Sequence, residues 1–131
     1  MTPTNSQIMQ ALFSRLTEAE LDYTIAWPGV DFDPPATGIW LEVVYQPNQG
    51  IDNGLSASDG VVPQGLMTVM VMDRPGRGVL AAQAVADQVV AVYPKNHKLV
   101  GLVRIQRTPY VFELPQKDDR LGWAVSVDYS G

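Results

Sequence analysis

Apolar residues recur with a period of two from Leu66 to Met72, and with a period of about 3.6 from Val79 to Tyr93. The first stretch has both alternating sets largely apolar (Met67, Val69 and Val71 against Leu66, Thr68, Met70 and Met72), as in a strand covered on both faces. The second places Val79, Ala82, Ala86, Val89, Val90 and Tyr93 on one helical face, opposite Gln83, Asp87 and Gln88. Asp73-Arg74-Pro75-Gly76-Arg77-Gly78 separates the two as a tight turn, and Pro94 ends the helix by pushing its predecessor out of the α region. One helix edge, Leu80, Ala81, Ala84 and Ala91, carries no charge, which suits a subunit interface.

Elsewhere the same reading gives an amino-terminal helix over about residues 5–19. Thr4 and Gln7 have capping-box spacing, and Ile8, Met9, Leu12, Phe13 and Leu16 form its apolar stripe. A short strand over 23–27 stops at Pro28-Gly29, and Asp31-Phe32-Asp33-Pro34-Pro35 excludes regular structure. Gly38 to Tyr45 alternates as a strand. Trp40 and Val44 flank Glu42 on its second face, which points to a contact there. Residues 47–63 show no pattern and are rich in Gly, Asn, Asp and Ser, the composition of a long flexible loop. Alternation resumes from Leu99 through Ile105, breaks at Thr108-Pro109, and continues in Tyr110, Phe112 and Leu114. After a polar turn, Pro115 to Arg120, it returns from Leu121 to Tyr129. The expected fold is α+β: an antiparallel or mixed sheet of about four main strands with two helices packed on one face, in a single domain over 1–131.

Composition narrows the function. The chain of 131 residues is 46% hydrophobic and 18% charged, with net charge −5 and a sequence pI of about 4.6. That balance argues for a folded globule and against general attraction to nucleic acid or an anionic membrane. The absence of cysteine removes disulfides and thiolate chemistry. The amino terminus has no signal-peptide pattern, and no apolar run approaches the ~18 residues of a membrane span, so a soluble protein is expected.

Little in the chain converges on catalysis. His97, the single histidine, sits between lysines in a polar loop and reads as solvated rather than as a general base. Asp31/Asp33 and Asp118/Asp119 lack further ligands at a calcium-loop spacing and read as turn residues. The Arg74–Gly78 turn resembles an anion cradle but has neither phosphate-loop nor dinucleotide spacing. The serines show no nucleophile elbow. No enzyme, catalytic residue, cofactor or metal is expected.

Several features together resemble the tail terminator-like minor tail proteins of long-tailed bacteriophages and prophages. They are the amphipathic first helix, Ile25-Ala26-Trp27-Pro28-Gly29, the Phe32-Asp33-Pro34-Pro35 turn, the Ile39-Trp40-Leu41-Glu42-Val43 strand and the loop that follows. Gln64-Gly65-Leu66, Pro75-Gly76-Arg77-Gly78, the helix with Ala86-Asp87 and a last strand closing on Tyr129 complete the layout. The resemblance covers almost the whole chain through short, mostly structural motifs. It implies a structural virion protein, assembled in the host cytoplasm and placed at the head-proximal end of the tail. There a ring, commonly hexameric, caps the tail tube, ends its polymerisation and offers the head-docking surface. The implied partners are further copies of the chain, the tail tube protein and a head-completion or neck protein; DNA passes through the lumen without specific binding. Residues expected at contacts are Trp40, Val44, Gln49, Asp52, Asp59, Arg74, Arg77, Leu80 and Ala84. The loop Gln49–Val62 is expected against a neighbouring subunit or the tube. The alternatives are a head–tail connector, a small anion-binding domain using the Arg74–Gly78 turn, and a monomeric adaptor that binds a peptide at a sheet edge.

Overall fold

The computed structural model describes residues 4–21, 23–34, 38–47, 51–52, 61–62, 64–74, 80–101, 103–117 and 120–130. In chain order the elements are α1 (Asn5–Glu18), β1 (Thr24–Ala26), β2 (Trp40–Pro47), β3 (Ile51–Asp52) and β4 (Val61–Val62). They continue with β5 (Gln64–Asp73), α2 (Leu80–Val92), β6 (Lys98–Val100), β7 (Val103–Ile105), β8 (Tyr110–Lys117) and β9 (Arg120–Ser130).

The fold is α+β, as the periodicities imply, but the sheet is larger than four strands. Seven strands form one curled mixed sheet in the order β1-β2-β5-β9-β7-β6, with β8 also paired to β9. Only β1 and β2 run parallel; every other pair in the sheet is antiparallel. The extra strands are short, and β7 and β8 share one edge of β9. Tyr110–Leu114 pairs with the Gly122–Ser126 stretch, and Arg104–Ile105 with Tyr129–Ser130. Strands of three residues carry too little alternation to register in a sequence window. Within residues 47–63, expected to be pattern-free, Ile51–Asp52 pairs antiparallel with Val61–Val62 as a separate two-stranded ladder.

The core lies between one sheet face and the two helices. Leu41, Val43, Met67, Val69, Val71, Val125, Val127 and Tyr129 supply the sheet side. Ile8, Leu12 and Leu16 come from α1, and Ala82, Val85, Ala86 and Val89 from α2. Both helical stripes thus join one cluster. Val85 was not on the expected face; as one wide apolar stripe, α2 buries more of its circumference than a strict 3.6 pattern admits.

Each helix is held by specific polar contacts. Thr4 accepts from the Gln7 amide at 3.2 Å, and the Gln7 side chain accepts from the Thr4 amide at 2.9 Å, the reciprocal capping box. Buried Tyr93, just past α2, donates its hydroxyl to the Leu12 carbonyl at 2.6 Å. Arg15 donates from Nε to the Val92 carbonyl, placing a cation on the negative end of α2. Burial pushes the Tyr93 hydroxyl far above the ordinary tyrosine range, against the opposing effect of Arg15.

Two glycines let the central strands meet. A Cβ on Gly65 would stand 2.5 Å from the Tyr129 hydroxyl and 2.7 Å from the Gln46 carbonyl; one on Gly122 would collide with the Val71 carbonyl. Over Gly65 the Tyr45 and Tyr129 rings stack at 6.0 Å and their hydroxyls hydrogen-bond at 2.7 Å. Burial, then that hydrogen bond, raises the Tyr129 pKa well above the usual value.

Candidate functional site

Side chains alternate along a strand, so the residues between the core positions face away from both helices. Registered across β2, β5, β9 and β8 they form three rows: Trp40, Met72, Gly122 and Leu114; Glu42, Met70, Ala124 and Phe112; Val44, Thr68, Ser126 and Tyr110. Glu42 is the single charged residue in these rows. Ala124 and Ser126 are small and buried and make a floor, flanked by the Tyr110 and Phe112 rings 5.9 Å apart. Tyr110 is 50% exposed, Phe112 43% and Val44 39%. Leu66, Thr68 and Met70 are half-buried, so this second face of β5 is less covered than its apolar alternation implies.

The face has a rim of different character at each side. Beyond Val44 and Met70 lies an open groove of about 490 Å³ that Val30, Asp31, Phe32 and Pro34 also line. At the other side Asp128 accepts from Ser126 Oγ at 3.2 Å and pairs with Arg107 at 3.1 Å. A second open groove, about 570 Å³, runs between α1 and Trp27, with Met9 and Phe13 in its wall. Phe13 packs on Trp27 at 4.9 Å and edge-on to Tyr45 at 6.5 Å, which links that groove to the tyrosine stack.

The expected contact residues fall into three groups. Val44, Leu80 and Ala84 are at the surface, Leu80 at 82% exposure; with Ala91 and Asp87 they lie along the outward side of α2 or, for Val44, on the outer sheet face. Trp40, expected at a contact, is fully buried within the chain. The Arg74 guanidinium covers its ring at 4.9 Å, and its indole N–H has no hydrogen-bond partner among the described residues. Arg74 is half-buried, and its amide donates to the Asp73 carboxylate at 2.7 Å. Gln49, Asp59 and Arg77 lie outside the described residues, as do most of the Gln49–Val62 loop, the Pro75–Gly78 part of the turn, Pro35 and Asp118/Asp119; Asp52 is described only as part of β3.

Tyr110 and Phe112, expected only as strand residues, are exposed beside the floor of Ala124 and Ser126. Their signal was an alternation of large apolar side chains immediately after a proline break, the mark of an edge strand. His97 is partly buried, its amide donates to Pro94 and its carbonyl accepts from Ile105. Burial first, and Arg15 second, lower its pKa below the ordinary histidine value. Among the described residues, no three His, Asp or Glu side chains gather as metal ligands, and no helix is long and apolar enough to cross a membrane.

Among the described residues, the outer sheet face and the two grooves bring together mainly apolar side chains. A family model described as phage tail terminator protein matches residues 7–129. The chain belongs to the phage tail terminator family. The chain's fold is also similar to that of a solved structure, 25% identical, with TM-score 0.74 over 98% of this chain and 96% of the other. Among curated proteins, none matches this sequence. The family is structural rather than enzymatic and belongs to the virion tail, where a terminator takes part in tail assembly with other tail and head proteins.

Proposed function

We propose that this terminator assembles into a ring, a hexamer as its family resemblance implies, which caps the tail tube and ends tube polymerisation. The completed ring then presents the surface on which the filled head docks, at the head-proximal end of the tail. The observation that carries this reading is the outer sheet face: four strands wide and mostly apolar, with Trp40, Met72, Ala124 and Ser126 already buried but Tyr110, Phe112 and Val44 exposed along it. A protein acting alone gains nothing from such a face, whereas a subunit buries it on assembly. The outward side of α2, where exposed Leu80 and Ala84 lie beside Asp87, adds a second surface. Arg74 and Arg77 serve at subunit contacts, and Gln49, Asp52 and Asp59 bring the loop to the neighbour or the tube. An acidic ring lets DNA slide through without sticking.

The test is native mass by light scattering across protein concentration, with and without purified tail tubes of the same phage. A closed ring, free or formed only at tube ends, is the expected result. A monomer indifferent to tubes sinks the reading. A ring that ignores tubes and binds the head vertex instead replaces it with the neck-protein alternative.

A further inference from the structure

Charge is divided unevenly along this chain. Between Leu16 and Asp73 there are nine acidic residues and no basic one, whereas eight of the nine basic residues lie from Arg74 onward, against five acids. The strand order turns this division of sequence into a division along the sheet. β1 and β2 come from the acidic stretch and β6 and β7 from the basic one, and β1 and β6 are the two ends of the strand order.

At the acidic end, Asp31 and Asp33 are exposed in the connection from β1 to β2, and Asp31 lines the groove together with Glu42. Exposed Glu20 lies just before β1. At the basic end, Lys98 and Arg104 are exposed and stand directly opposite each other in the β6–β7 register. Like charges at opposed positions of an antiparallel pair repel. Among the described residues neither Lys98 nor Arg104 has an ion-pair partner, and neither do Asp31 and Asp33; Arg107, by contrast, is already matched by Asp128. The repulsion at one end and the uncompensated carboxylates at the other are relieved together if the two ends meet.

We propose that the acidic end of one subunit docks head-to-tail on the basic end of the next, with Asp31 and Asp33 facing Lys98 and Arg104 of a second copy of this chain. Such a contact uses two different surfaces of each subunit, the heterologous kind that closes into rings rather than two-fold dimers. Its charges set the register and direction of neighbours, and salt weakens it. The inference rests on the ring reading above and adds which surfaces meet.

The experiment is a charge swap read by light scattering, on tail tubes if the ring forms only there. One variant carries Asp31→Lys and Asp33→Lys, the other Lys98→Glu and Arg104→Glu. All four side chains are exposed, and circular dichroism and melting are used to check that both variants remain folded. Each variant alone forms about tenfold less ring than the wild type, or less still. Mixed in equal amounts they restore the ring, because every contact in an alternating ring is again between opposite charges. Rings from either variant alone at the wild-type level overturn the proposal, and so does a mixture of folded variants that stays dispersed. Restoration as a dimer rejects the head-to-tail arrangement. A wild-type protein that never forms a ring, with tubes or without, rejects the ring reading itself, a result distinct from all the others.

Discussion

Gly65 carries more of the central sheet than its size suggests. It faces Pro47 on β2 and Tyr129 on β9, and the Tyr129 hydroxyl fills the space a side chain would take. Gly65→Ala must therefore displace both the Gln46 carbonyl and the tyrosine, breaking the 2.7 Å Tyr45–Tyr129 hydrogen bond. Overpacking of this kind costs about 1–3 kcal/mol. Urea unfolding should show that loss, and an unchanged midpoint would mean that the strands part without penalty. Trp40 teaches the opposite lesson about single residues. Beside Glu42 and Val44 it reads as a contact residue, yet Arg74, thirty-four positions later, covers it. A cation folded back across a strand pair is a tertiary contact that no local pattern announces.

At the scale of elements, legibility followed length. α1 was readable to within a residue at its start because the capping box fixes that end: Thr4 and Gln7 satisfy each other's amides as their spacing requires. Thr4→Ala removes one half of the box and leaves the Gln7 amide without its side-chain acceptor, a loss of about 1 kcal/mol. Thermal melting measures it; Thr4→Ser, which keeps the acceptor, should restore the wild-type value. A melting point equal for Thr4→Ala and wild type would show that water replaces the cap at no cost. β2, β5 and β9 were legible for a similar reason, since eight or more alternating residues average out single exceptions. β6 and β7, three residues each around Gly101, read as part of one resumed alternation, and the division of β9's edge between β7 and β8 is a matter of pairing, not of pattern.

For the whole molecule, the surfaces matter more than the core. The sequence pattern told apolar from polar sides but not which apolar side the helices cover, and in this sheet the choice decides everything. The helices take the face of Val43, Val69 and Val125, leaving Val44, Phe112 and Tyr110 toward the outside. If assembly covers that face, replacing Tyr110 and Phe112 with Ser should separate folding from association. Both rings are already about half exposed, so the monomer loses only about 1–2 kcal/mol of burial. The assembled protein loses two aromatic anchors per contact, of the kind that dominate interface energies. The double variant is therefore expected to melt within several degrees of the wild type and yet fail to form rings or join tails. Glu113→Ser on the same strand, whose side chain points to the other side of β8, should do neither. Rings of normal mass from the Tyr110/Phe112 variant would show that the outer face stays bare after assembly. The contacts would then fall to the charged sheet ends and the outward side of α2.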